Sequence, residues 1–150
     1  MWRVLLLALV LAGCTSTPEA TPERDAQAKR FESRADAATI YAYRDDIASA
    51  DDNSQGPVLY VDDRLIGATL PATYFRFDVR AGAHVLRAVT HDESRLKLDA
   101  RSGKVHYVRL QTAGGSSTLR LVKPEVGKRD ILRCCTLLEN WETGQRPFLR

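Results

Sequence analysis

The sequence predicts a mainly β fold: a small antiparallel β-sandwich of about seven or eight strands, with short N- and C-terminal helices. Three observations predict it. β-branched and aromatic residues gather in short runs, as in Thr39-Ile40-Tyr41-Ala42-Tyr43. Clusters of Gly, Asp, Asn and Ser separate those runs at the spacing of sheet-forming chains. No strand–helix–strand alternation accompanies them, so nothing supports a parallel sheet. The 150 residues, 44% hydrophobic and 27% charged, suit one globular domain and exclude wholesale disorder. A formal net charge of +3 provides no electrostatic footprint for nucleic acid, and no such partner is expected.

The chain opens with one cation, Arg3, and an apolar run that reaches Gly13. That run is shorter than the roughly 20 residues a bilayer span requires, and has the form of an export signal. The break after it, Leu11-Ala12-Gly13-Cys14, resembles the lipobox of bacterial lipoproteins. The resemblance implies cleavage before Cys14, a diacylglycerol on its thiol and an acyl group on the new amine. Residues 1–13 are then a signal peptide, and Cys14 is the lipidation site and membrane anchor. Thr15, where the family's inner-membrane retention signal has Asp, implies sorting to the periplasmic face of the outer membrane.

Residues 14–25 read as the lipidated cysteine and a flexible tether, because Thr15 to Glu23 is small, polar and broken by Pro18 and Pro22. The domain is expected over 26–140. Charged residues from Arg24 to Ala35 surround Phe31, predicting a short helix that packs this ring on the body. Val58–Val61 and Leu65–Ala68, separated by Asp62-Asp63-Arg64, predict a hairpin. In Tyr74–Val79, Phe75, Phe77 and Val79 alternate with Arg76 and Asp78, the period of a half-buried strand. His84–Thr90, Leu96–Asp99, Val105–Leu110 and Leu119–Val122 follow, divided at Gly103 and at Gly114-Gly115. After Pro124 the period becomes helical, with Ile131, Cys134 or Cys135, Leu138 and Trp141 on one face. Residues 141–150 read as a tail.

Ile40-Tyr41-Ala42-Tyr43-Arg44, Val61-Asp62-Asp63-Arg64-Leu65-Ile66-Gly67, Val79-Arg80-Ala81-Gly82-Ala83-His84 and Gly103-Lys104 before Tyr107-Val108-Arg109 occur in a recognisable order. They resemble bacterial lipoproteins carrying domain of unknown function 2846, over about Lys29 to Cys135. The middle is also similar to PEGA-type β-sandwich modules. It departs from their pattern at Asp63, where Gly is preferred, and at Ala81, where Pro is preferred. The resemblance implies a lipid-tethered sandwich and no reaction.

Candidate chemistry is sparse. His84, His91 and His106 lack the spacing of a zinc motif, and no metal or other cofactor is expected. Asp51, Asn53, Gln55 and Asp62 faintly follow calcium-loop spacing, but strands flank them, and a solvated acidic loop is expected. No nucleophile elbow or phosphate-binding loop occurs. Cys134-Cys135 is a candidate redox pair. Adjacent helical residues point about 100° apart and cannot bridge without leaving the helix, so the expectation is one buried and one partly exposed free thiol.

The expected function is therefore a lipid-anchored, non-enzymatic binding or structural module of the bacterial cell envelope, with another envelope protein or peptidoglycan as partner. The alternatives are an enzyme whose site is assembled from His84, His106 and Asp62, and a redox-responsive module using Cys134 and Cys135.

Overall fold

The computed structural model describes residues 17–46 and 56–140. Helix α1 (Pro22–Ala28) is followed by strands β1 (Ala38–Arg44), β2 (Val58–Val61), β3 (Arg64–Ala68), β4 (Thr73–Val79) and β5 (Gly82–Val89). Strands β6 (Glu93–Ala100), β7 (Val105–Ala113) and β8 (Ser116–Val122), helix α2 (Pro124–Cys134) and strand β9 (Thr136–Leu137) complete it. The fold is mainly β, as expected. One sheet runs β8-β7-β1-β4-β9 and the other β3-β2-β5-β6.

Strand β1 is buried along its whole length because both of its faces are covered. Ala38, Ile40 and Ala42 point into the core between the sheets, where they meet Phe75, Phe77 and Val79 of β4 and Leu86 of β5. Tyr41 and Tyr43 point the other way, into a second core under the two helices, with Tyr74, Tyr107 and Ile131. The layers are thus helices, five-stranded sheet and four-stranded sheet.

The sheets are not purely antiparallel. β1 pairs with β4 antiparallel but with β7 parallel, Thr39 opposite Val105 and Tyr43 opposite Arg109. β9 also runs parallel to β4. Parallel neighbours need a long crossover, usually a helix. Between β1 and β7 the crossover consists of the second sheet together with β4, so the sequence carries no helical signature for it.

The β2–β3 hairpin turns through Asp62 and Asp63, both left-handed at φ 48° and 64°. That backbone is the two-residue turn whose twist matches paired strands, and Asp tolerates it without the glycine the sequence pattern prefers. Gly114 and Gly115, at φ 58° and 81°, turn β7 into β8 the same way. At the edge of the second sheet, β6 buries only Leu98 and Ala100 and turns Lys97 and Asp99 outward, which blunts an open edge.

Both ends of the domain differ from expectation. The N-terminal helix is shorter and earlier, with Thr21 capping and Pro22 opening it. Phe31 lies beyond its end at φ 54° and still packs on Tyr41 and Tyr107, with ring centroids 5.2 and 5.9 Å away. At the C-terminus, helical periodicity stops at Cys134. Cys135 is extended, the Thr136 N–H donates to the Ala72 carbonyl at 3.1 Å, and Leu138 N–H to that of Tyr74 at 2.8 Å. The register with β4 overrides a pattern that would have continued the helix. Trp141 and the 141–150 tail lie outside the described residues.

Candidate functional site

Cys14 lies outside the described residues, but the chain beginning three residues later is built into the fold. Thr17 is buried, and its Oγ1 donates to the Ala68 carbonyl at the end of β3, at 2.8 Å. Glu139 N–H donates to the Pro18 carbonyl at 2.9 Å, and Ala20 N–H to that of Leu137 at 2.8 Å. Glu19 and Leu138 form an antiparallel bridge. From Thr17 onward, therefore, the expected tether is an extended segment bridged to the chain beside β9, followed by α1. Small polar residues make poor cores, but their backbone can complete a sheet edge when a partner strand is present.

Asp25, which the sequence reading assigned to the tether, ties these parts together. Its Oδ1 accepts from the Tyr74 hydroxyl and from Leu137 N–H, both at 2.9 Å, and its Oδ2 from Lys29 Nζ at 2.7 Å. Burial acts to raise its pKa, but these hydrogen bonds outweigh burial and hold the carboxyl below the ordinary range. The same environment pushes the Tyr74 hydroxyl upward, through burial first and then the Asp25 hydrogen bond. Thr21-Pro22, a cap followed by a helix-opening proline, was the signal that could have started the helix at Pro22.

The histidines do not converge on a metal, and no cluster of three potential ligands occurs among the described residues. Two of the candidate enzyme residues do meet. His84 Nδ1 faces Asp62 Oδ2 at 2.5 Å, while its Nε2 faces the Arg80 carbonyl at 2.7 Å. Asp62 Oδ1 also accepts from Val85 N–H at 2.9 Å. A general base needs a ring nitrogen facing the proton it removes. Here both are engaged, and the pair pins the β2–β3 turn to β5. His106 is on the other sheet, where its Nε2 accepts from Arg101 N–H at 3.3 Å; burial, and then the Arg101 charge, lower its pKa. His91 is exposed beside the β5–β6 turn. Of the calcium-like loop, Asp51, Asn53 and Gln55 lie outside the described residues, and Asp62 is committed to His84.

Cys135 is buried and Cys134 partly so, but they are joined in a disulfide, unlike the free thiols expected. The helical argument does not apply because the helix ends between them: Cys135 has φ −117° and ψ 143°. Cys135 Sγ is also 3.4 Å from the Arg44 carbonyl oxygen, a hydrogen bond that only the thiol form can donate. Arg44 is itself buried, paired with Asp46, its Nη2 3.2 Å from Thr112 Oγ1. Beside it a cavity of about 10 Å³, lined by Ala42, Tyr43, Thr69 and Leu110, has room for about one water.

Two sheets, a helix-covered tyrosine layer and an extended N-terminal segment bridged to one edge define a β-sandwich module. The chain belongs to the family described as protein of unknown function (DUF2846), whose model matches residues 34–123. It is also 30% identical over 134 residues to an uncharacterized protein of Haemophilus influenzae, covering 85% of this chain and 78% of the relative. No solved structure matches. The family match covers β1 to β8 and leaves out α1, α2 and β9, whereas the Haemophilus alignment extends beyond that core. Among the described residues no helix is long and apolar enough to cross a membrane.

Proposed function

We propose that this protein is a lipoprotein of the bacterial cell envelope, acylated on Cys14 and held at the periplasmic face of the outer membrane. It carries its sandwich as a non-enzymatic binding or structural module for another envelope protein or peptidoglycan. The observation behind this reading is Leu11-Ala12-Gly13-Cys14, directly after an apolar run opened by Arg3. Several acyl chains, at about 0.8 kcal/mol per buried methylene, give lasting attachment where one would be marginal. The non-enzymatic part is supported by the engagement of both His84 nitrogens and the placement of His106 on the opposite sheet. The likeness to PEGA-type modules is supported by the hairpin through Asp62-Asp63.

Metabolic labelling with a fatty-acid probe tests the reading. In a host that processes lipoproteins, the wild type acquires label and Cys14→Ala does not. An unlabelled wild type refutes it.

A redox-responsive module is the second reading, favoured by the joined sulfurs of Cys134 and Cys135. Closing the bond passes two electrons and two protons to a disulfide-bearing exchange partner, and removes the S–H that faces Arg44. Alkylation of purified protein without reductant tests it. Free modification of both residues sinks this reading and leaves the first untouched.

A further inference from the structure

We infer that the N-terminal segment is a short mooring that holds one flank of the sandwich, formed by β3 and residues 17–20, against the phospholipid headgroups. The inference rests on acylation of Cys14. A tether reaching to Glu23 would let the domain wander, since each extended residue adds about 3.3–3.6 Å. Thr17, however, is already built into the fold and only 4% exposed. Its Oγ1 is held by Ala68 of β3, and the next residues are held by Leu137 and Glu139. Only the three steps from Cys14 to Thr17 separate the lipid from this anchored point, a reach of at most about 11 Å.

The topology then fixes which surface is near. Thr17 bonds to β3, the edge of the four-stranded sheet, while Pro18 to Ala20 pair beside β9, the edge of the five-stranded sheet. Both of these edges are on one flank. The opposite flank is made by β6 and β8, where Leu119 N–H donates to Ser94 Oγ at 3.0 Å. Five strands at a spacing of about 4.8 Å separate the flanks by about 19 Å, more than the mooring can span. The β3 flank therefore stays within reach of the headgroups in every orientation, whereas nothing holds the β6–β8 flank there.

The test uses full-length protein, acylated in cells and purified, in phosphatidylethanolamine–phosphatidylglycerol vesicles. These contain a phospholipid with a photoreactive diazirine on its headgroup. After illumination, adducts are mapped by mass spectrometry in wild type and in a variant with ten Gly/Ser residues inserted between Ser16 and Thr17. The insertion leaves every described contact intact.

In the wild type, adducts on residues 18–19, 65 and 70 should exceed those on 93–97 and 118–121 by about fivefold or more, because only the first set is held within reach of the lipid. In the insertion variant the bias should fall to about twofold or less, because the reach grows to about 45 Å. Even labelling of both flanks in acylated wild type overturns the mooring and leaves the lipoprotein reading standing, as does a bias that survives the insertion. An intact mass without acyl groups overturns both.

Discussion

Replacing Asp25 by alanine probes the joint between the N-terminal segment and the sandwich. In the native chain one carboxylate oxygen serves both the Tyr74 hydroxyl and the Leu137 N–H, and the other serves Lys29. Tyr74 is almost wholly buried, and once the carboxylate is removed its hydroxyl keeps only the residue-25 carbonyl, a long contact at 3.4 Å. A buried donor left without a partner costs about 1–3 kcal/mol. The Leu137 N–H left unpaired and the Tyr74 hydroxyl left on a long contact set the loss for Asp25→Ala at about 1–5 kcal/mol. Asparagine keeps an oxygen for Tyr74 and Leu137 and loses only the Lys29 ion pair, worth about 0–1 kcal/mol near the surface. Urea denaturation of residues 14–150 carrying Cys14→Ser, followed by far-UV dichroism, measures both variants. The carboxyl is held below its ordinary pKa when folded, so its contribution is present above about pH 4 and is lost as pH falls through the folded value. Asp25→Ala should therefore lose less stability than the parent on acidification. If alanine and asparagine are equally mild, within about 0.5 kcal/mol of the parent, Asp25 does not join the two parts and the reasoning fails.

Other expectations follow from the same packing. Phe77→Ala should cost about 3–5 kcal/mol, since the ring lies in the core between the sheets, while Arg76→Ala on the opposite face should cost far less; urea midpoints decide. Gly127→Ala should destabilise by about 1–3 kcal/mol, because the added methyl would collide with the Tyr107 ring. Asp63→Gly should have a slightly higher thermal midpoint than Asp63→Ala, which loses the same Arg87 ion pair, since glycine adopts φ 64° more readily than a residue with a Cβ; a lower midpoint would contradict that account of the turn.

The strands were legible because their side chains alternate or cluster in ways that local sterics and burial impose. Tyr74–Val79 is the clearest case: Phe75, Phe77 and Val79 face one core while Tyr74 faces the other. Connections between distant segments were not legible. Nothing local in Thr39–Tyr43 or Val105–Arg109 records that they pair in parallel, because the information is spread over the intervening sheet. The N-terminal segment misled for a related reason. Thr17 to Ala20 contains no large apolar side chain, and its order comes from backbone bonds to residues at the far end of the chain. The site reading divided in the same way. His84 and Asp62 were individually visible, but only the β2–β5 pairing brings them together, and it also fills the nitrogen that chemistry would need. Cys134 and Cys135 were visible as neighbours, while the helix end between them was set by the pairing of β9 with β4.

The pairing of Glu19 with Leu138 has a consequence for how the molecule is made. A chain synthesised or threaded from its N-terminus presents the first half of this contact long before the second. Every arrangement reached before Leu138 arrives has an incomplete sheet edge and leaves Tyr74 without the Asp25–Leu137 joint. The parallel partner of β1 also waits for residues beyond Val105. Such separations slow folding, because chain closure must precede the contacts that reward it. The topology thus acts as a timer: a partly made chain keeps an unfinished edge, and the fold closes only when its last segment has arrived.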